Sequence, residues 1–243
     1  MESKVALITG ATSGIGRAIL ETLATKGFVV YGVGRSADKV ERLGISFGNR
    51  SNGNTVGLRV CDIRDITAVR LLVGQIIAEQ GKIDALVNSA GVLKLENTHE
   101  VTEASFAEQF DTLFRGTFFL TTAVLPHMIT AGSGTIISIG SVAADKASPK
   151  MAVYAAAKAA LASFTKTVAL EYCDKHIRTV CIQPGAVETN LMDKIVLAMI
   201  QKKTPLKRLA QSAEIAGLVS YLLSAEASYI TGSTINIDGG AGL

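Results

Sequence analysis

The chain has 243 residues, 48% hydrophobic and 19% charged, which excludes intrinsic disorder and allows a core that needs no disulfide or metal staple. Aromatics are only 5% and tryptophan is absent, so Ala, Val, Ile and Leu must build that core; with 23 glycines this suits a buried parallel sheet under helices. Net charge is +3 with the signs interspersed, and the longest basic cluster is Lys202-Lys203, which excludes a nucleic-acid surface.

Val5 to Ile8 reads as a buried strand followed by a glycine-rich turn. Ile15 to Lys26 has helical periodicity, with Ile15, Ile19, Thr22 and Leu23 on one face. Phe28 to Val33 is the second strand, Asp38 to Leu43 a helix, and Thr55 to Val60 the third strand. Asp65 stands at the N-cap position ahead of an amphipathic helix over Ile66 to Glu79. Ala85 to Val87 is the fourth strand, and Ser105 to Met128 reads as one extended helix. Gly132-Ser133-Gly134 resets the chain into a fifth strand, Thr135 to Ile139. Val153 to Tyr172 is an Ala-rich helix, Thr179 to Ile182 the sixth strand, Ser212 to Ser224 a helix, and Ser233 to Ile237 the seventh strand.

Strands alternating with helices of this length imply βαβ units, hence an α/β, doubly wound, seven-stranded parallel sheet with helices on both faces, of the Rossmann type. At ~100–200 residues per domain, and with no linker, repeat or low-complexity stretch, residues 1–243 are expected to form one domain. Thr189 to Arg208 is the least regular stretch, and a mobile substrate loop is expected over about 189–210. Cys61, Cys173 and Cys181 fit no disulfide or zinc spacing and point to a reducing, cytoplasmic compartment. No apolar run reaches ~18 residues, so no membrane span is expected. The opening Met1-Glu2-Ser3-Lys4 reads as running at once into a strand, so no signal peptide is expected. His99, His127 and His176 are scattered, and no metal site is expected.

The turn Thr9-Gly10-Ala11-Thr12-Ser13-Gly14-Ile15-Gly16 joins the first strand to the first helix. Its glycines permit a tight turn and let the backbone approach a pyrophosphate, while the helix start presents free N–H groups and a positive dipole end. A dinucleotide site normally has an acid at the end of the second strand for the ribose 2′-hydroxyl. Here that place holds Gly34, Arg35 and Ser36, with no carboxylate before Asp38. An Arg there pairs with a 2′-phosphate, which points to NADP(H).

Tyr154 and Lys158 stand four apart on one helix face, and Ser141 lies just past the carboxyl end of the fifth strand, the sheet edge where ligands bind. With these motifs the chain resembles the short-chain dehydrogenase/reductase family over its whole length. Asp62, followed by Ile63, matches the family's adenine-binding Asp. Asn88-Ser89-Ala90-Gly91 matches its Asn-Asn-Ala-Gly strand end, with Ser89 in place of the second Asn. Pro184-Gly185-Ala186-Val187-Glu188-Thr189 matches its Pro-Gly loop, and Ile230-Thr231-Gly232 leading to Asp238-Gly239-Gly240 matches its last strand.

The resemblance implies hydride transfer between a nicotinamide and a carbonyl or alcohol carbon. It makes Tyr154 the general acid or base, Lys158 the cation that lowers the phenol's pKa, and Ser141 the donor to the carbonyl oxygen. It also implies cofactor contacts by Gly10, Thr12, Ser13, Gly14, Ile15, Gly16, Arg35, Ser36, Asp62, Ile63, Asn88, Ala90, Gly91, Tyr154, Lys158, Pro184, Gly185, Val187 and Thr189. One position departs from the family. The Asn three places before Gly116 is Leu113, which cannot hold the water that links the family's Lys to solvent.

The substrate is barely encoded. Leu191, Met192, Ile195, Val196 and Met199 suit an apolar lid, or the inner face of a helix over the cleft, and favour a neutral hydrophobic ketone or secondary alcohol. Lys202, Lys203, Lys207 and Arg208 leave open a 3-ketoacyl group on a phosphopantetheine carrier. A nucleotide-binding regulatory protein with weak turnover and a cofactor-retaining epimerase or dehydratase are the rival readings. The family's pairing modes, with Phe114, Phe118 and Phe119 crowding one helix, imply a homotetramer.

Overall fold

The computed structural model describes residues 3–48, 55–189, 191 and 194–243. Seven strands, β1 (Val5–Thr9), β2 (Val29–Gly34), β3 (Val56–Val60), β4 (Ala85–Asn88), β5 (Gly134–Ile139), β6 (Ile177–Pro184) and β7 (Ser233–Ile237), form one parallel sheet in the order β3-β2-β1-β4-β5-β6-β7. The order reverses between β1 and β4, so the loops leaving these strands diverge and open a crevice at the carboxyl edge.

Both sheet faces are buried, which is why the strands read as near-continuous apolar runs. Ala6 and Ile8 face one layer with Ile19, Leu20 and Leu23 of α1 (Gly14–Thr25) and Ile215, Val219 and Leu222 of α8 (Ser212–Leu222). Val5 and Leu7 face the other, with Val69, Leu72 and Ile76 of α3 (Ile66–Gln80), Leu120 and Val124 of α5 (Gly116–Ala131) and Val168 of α6 (Ala152–Tyr172). Each such buried Val, Leu or Ile contributes roughly 1.5–3 kcal/mol relative to exposure. Asp65 caps α3 as expected, accepting a hydrogen bond from the Ala68 amide at 3.0 Å.

The expected helix over Ser105 to Met128 is instead α4 (Glu103–Phe110), a π-helical turn over Asp111–Arg115, and α5. A π turn uses ordinary helix formers, so no breaker marks it in the sequence. Its exit residue Gly116 passes so close to the β3–α3 loop that a Cβ there would lie 2.7 Å from the Ile63 carbonyl oxygen. The stretch Thr189 to Arg208, expected to be irregular, holds helix α7 (Lys194–Lys203). Met192 and the side chains of Ile195 and Val196 lie outside the described residues. Helix α2 (Ala37–Gly48) is longer than the expected Asp38 to Leu43. Among the described residues no helix is long and apolar enough to cross a membrane.

Candidate active site

The turn between β1 and α1 owes its shape to its glycines. Gly10 and Gly14 have φ of +67° and +52°, in the left-handed region that L side chains rarely adopt. A Cβ on Gly16 would lie 2.3 Å from the Gly10 carbonyl oxygen, so only glycine lets the helix start pack against the turn. Ser13 is the N-cap residue of α1 but its side chain caps nothing, which leaves the first-turn amides to an incoming ligand. The Thr9 hydroxyl accepts from the Ser89 and Ala90 amides, at 3.0 and 3.1 Å, and ties the ends of β1 and β4 together.

These residues line a cavity of about 420 Å³. Gly10, Thr12, Ser13, Gly14, Ile15 and Gly16 form one side; Arg35, Ser36, Asp62, Ile63, Ala90, Gly91 and Thr189 complete it. Asn88 is not on this wall. Its amide reaches the Thr121 hydroxyl on α5 at 3.3 Å. The Asp62 carboxylate is forked onto Arg64, with Nη2 at 2.6 Å, and Arg64 holds it below the usual carboxylate range. Lys39, one helical turn after Arg35, also lines the cavity. A cation in the first turn of α2 opposes the helix dipole, and that misfit was the signal for Lys39 in the sequence. The missing acid at Gly34 has a packing reason as well: a Cβ there would lie 2.5 Å from Thr12 Cγ2. The glycine cradle, free helix amides and paired cations fit a phosphate-rich dinucleotide.

A second cavity, about 430 Å³, shares Ile15, Ser89, Gly91, Leu93, Thr189 and Leu191 with the first, so the two form one cleft. Its wall brings together Ser141, Tyr154, Lys158, Pro184, Gly185 and Val187. The Ser141 hydroxyl accepts from the Ala143 amide at 3.2 Å and also hydrogen-bonds with the Tyr154 phenol. Tyr154 is 8% exposed and Lys158 5%. Lys158 Nζ donates to the Ile139 carbonyl at 2.5 Å and lies 5.7 Å from the Tyr154 ring centroid. Burial pushes the Tyr154 phenol up, opposed by its hydrogen bond with Ser141. Burial also pushes the Lys158 ammonium down to about 8.

Leu113 is 1% exposed and packs with Ala143, Tyr154 and Ala157, whereas the adjacent Thr112 faces the first cavity. The rest of the second cavity is largely apolar, with Val142, Met151, Leu197, Ile200 and Pro205 among its lining. Gly240, Ala241 and Leu243 close one side, held where Lys146 Nζ donates to the Ala241 and Leu243 carbonyls at 2.6 and 3.2 Å. Nothing local in the sequence marks this tail as part of the wall.

The Lys158 shift has a stability consequence. The unfolded chain keeps this proton to about 10.5 and the folded chain only to about 8, so folded stability rises with pH across that window. Lys158→Met, neutral at every pH, is expected to be more stable than the parent at pH 7 by up to about 3 kcal/mol. That advantage should fade near pH 10, read by urea denaturation of the cofactor-free proteins. An equal difference at both pH values would refute the buried charge.

The short chain dehydrogenase family model matches residues 4–199. The 2,3-dihydro-2,3-dihydroxybenzoate dehydrogenase of Bacillus subtilis is 34% identical, covering 100% of this chain and 97% of its own. The 3-oxoacyl-[acyl-carrier-protein] reductase FabG of Escherichia coli is 37% identical, covering 98% and 97%. Among solved structures, a variant of the actinorhodin polyketide ketoreductase with NADPH superposes with a TM-score of 0.93 at 30% identity, covering 99% of this chain and 97% of that one. With one parallel sheet, one continuous cleft and these relatives along nearly its whole length, the chain belongs to the short-chain dehydrogenase/reductase family of oxidoreductases.

Proposed function

We propose that the protein is an NADP(H)-dependent oxidoreductase interconverting a neutral, apolar carbonyl compound and its secondary alcohol, as a carbonyl reductase or alcohol dehydrogenase. The observation that carries this reading is the meeting of the Ser141 and Tyr154 hydroxyls with Lys158 on an apolar wall that opens into the phosphate-binding cradle. Bound nicotinamide supplies the hydride in reduction and accepts it in oxidation. Ser141 donates to the carbonyl oxygen and stabilises the charge developing there. Tyr154 gives its hydroxyl proton to that oxygen in reduction and takes it back in oxidation. The Lys158 cation favours the intervening phenolate and would hold the ribose of a bound nicotinamide cofactor. Arg35 and Lys39 select the 2′-phosphate, a choice supported by the NADPH in the polyketide ketoreductase structure.

Helix α7 serves as a lid, since its Leu197 and Ile200 line the substrate cavity. A second substrate reading, a 3-oxoacyl group on a carrier, draws support from the Escherichia coli reductase and from Lys203 in the cavity lining. The rings of Phe106, Phe110, Phe114, Phe118, Phe119 and Phe164 form a surface ladder with centroid spacings of 4.9–6.1 Å. Phe106 is 47% exposed, and this face supports a homotetramer, for which light scattering should give four times the chain mass. The activity is tested with a panel of ketones, 3-oxoacyl thioesters and secondary alcohols, following absorbance of the reduced nicotinamide. NADPH oxidation by an apolar ketone is the expected result. Binding of cofactor without turnover of any member would refute the assignment.

A further inference from the structure

The sheet face under α5 and α6 changes character just below the carboxyl edge. Leu86 and Ile136, register partners on β4 and β5, are apolar core there. Two residues further along, the partners across four strands are Asn88, Ser138, Cys181 and Thr234. Partners in register share a face, as do residues two apart on one strand. The Thr179 hydroxyl donates to the Thr165 carbonyl on α6, and the Asn88 amide reaches Thr121 on α5, so this polar row lies beneath those helices. Gln183, two beyond Cys181, faces the same way and is 0% exposed.

Asn88 Oδ1, Gln183 Nε2 and Oε1, and Thr234 Oγ1 are buried without a hydrogen-bond partner. Among the described residues these are all the unpartnered buried side-chain atoms, and they sit on this one patch. Native interiors satisfy such groups with ordered water.

Lys158 stands at the same patch. Its Nζ donates to the Ile139 carbonyl, between Ser138 and Gly140. A Cβ on Gly140 would lie 2.8 Å from Cys181 Sγ and 3.2 Å from Gln183 Cγ, so the thiol and the amide stem flank that strand end. On the other flank the Leu113 side chain packs apolar against Tyr154 and Ala157. Away from the cleft that it lines, the polar groups beside the lysine are therefore on the Gln183 side.

We infer that Gln183 and Thr234 hold ordered water that exchanges protons with Lys158, which makes Gln183 a positioning residue for returning the proton that Tyr154 gives up. The inference rests on the reduction proposed above. As the Tyr154 O–H bond breaks, its proton forms the O–H of the alcohol. The phenolate then takes a proton drawn from the Lys158 ammonium, and the neutral amine takes one from the held water. Solvent at exposed Asn236, which pairs with Gln183 on the edge strand β7, replaces it. One solvent proton enters for each hydride delivered to carbon.

The test uses the full chain as Gln183→Leu, Gln183→Asn and Thr234→Val. A high-resolution crystal structure of the parent should show water ~3 Å from the Gln183 amide and the Thr234 hydroxyl. Gln183→Leu should lose that water and, with NADPH and a ketone, lower kcat about tenfold at unchanged KM for NADPH. The solvent isotope effect should grow while the effect of C4 deuteration of NADPH shrinks, and Gln183→Asn should recover part of the rate. Should the Leu variant not fold, Thr234→Val provides the same comparison. A parent without that water, or a Leu variant with parent kcat and isotope effects, would overturn the inference. A parent that turns over no ketone sinks the redox reading instead. The water and a lysine-labelled NMR titration of Lys158, expected to fall further in Gln183→Leu, are read without turnover, and an unmoved titration would overturn the inference independently.

Discussion

Tyr154→Phe is expected to bind cofactor as the parent does and to slow the chemical step by on the order of 10²–10⁴, the range for a positioned acid or base. The ring is wedged with Leu113, Ala143 and Ala157, and that packing survives removal of one oxygen. Ser141 loses a hydrogen-bond partner, at about 0.5–1.5 kcal/mol of stability, but still caps the turn through the Ala143 amide. Single-turnover absorbance of the reduced nicotinamide separates the effects, with cofactor affinity taken from fluorescence titration. A Phe variant that turns over at the parent rate would remove Tyr154 from the proton-transfer step.

The second large effect concerns cofactor choice. Arg35→Ala combined with Lys39→Ala is expected to weaken NADPH binding by about two to three decades and leave NADH nearly unchanged. Each charge-assisted phosphate contact is worth roughly 1.5–3 kcal/mol, or one to two decades, and two contacts to one phosphate are not additive. Both side chains are exposed, so the parent's preference should also shrink as salt rises. Installing an acid at Gly34 is the less clean experiment, because its Cβ would collide with Thr12 and disturb the turn itself. An NADPH/NADH preference unchanged in the double variant would show that the 2′-phosphate is not read by these cations.

Much of the site was legible because its parts are local. The strand–glycine turn–helix unit announces itself within a dozen residues, since Gly10 and Gly14 need positive φ and Gly16 needs close approach. The four-residue spacing of Tyr154 and Lys158 fixes a shared helix face, and the Asp65 cap follows from one residue ahead of an apolar period. The π-helical turn was invisible for the opposite reason: widening a helix by one residue changes the register of hydrogen bonds without changing which residue types form it.

By itself the sequence determined the alternation of strands and helices, the phosphate-binding turn and the identity of the Ser141, Tyr154 and Lys158 groups. The first two follow from periodicity, glycine conformation and caps, which act over a few residues, and the third was implied by the family resemblance. Only the tertiary structure decided that the phosphate cradle and the Tyr154 wall are one cleft, and that Gly240, Ala241 and Leu243 form part of it. Only the sheet register put Asn88, Ser138, Cys181 and Thr234 in one row beneath the helices that cover Lys158. It likewise turned Leu113 toward Tyr154 and Thr112 toward the cofactor cavity. Each of these joins residues far apart in the chain through strand order and side-chain facing, and a parallel sheet sets both by packing of whole layers rather than by any local pattern.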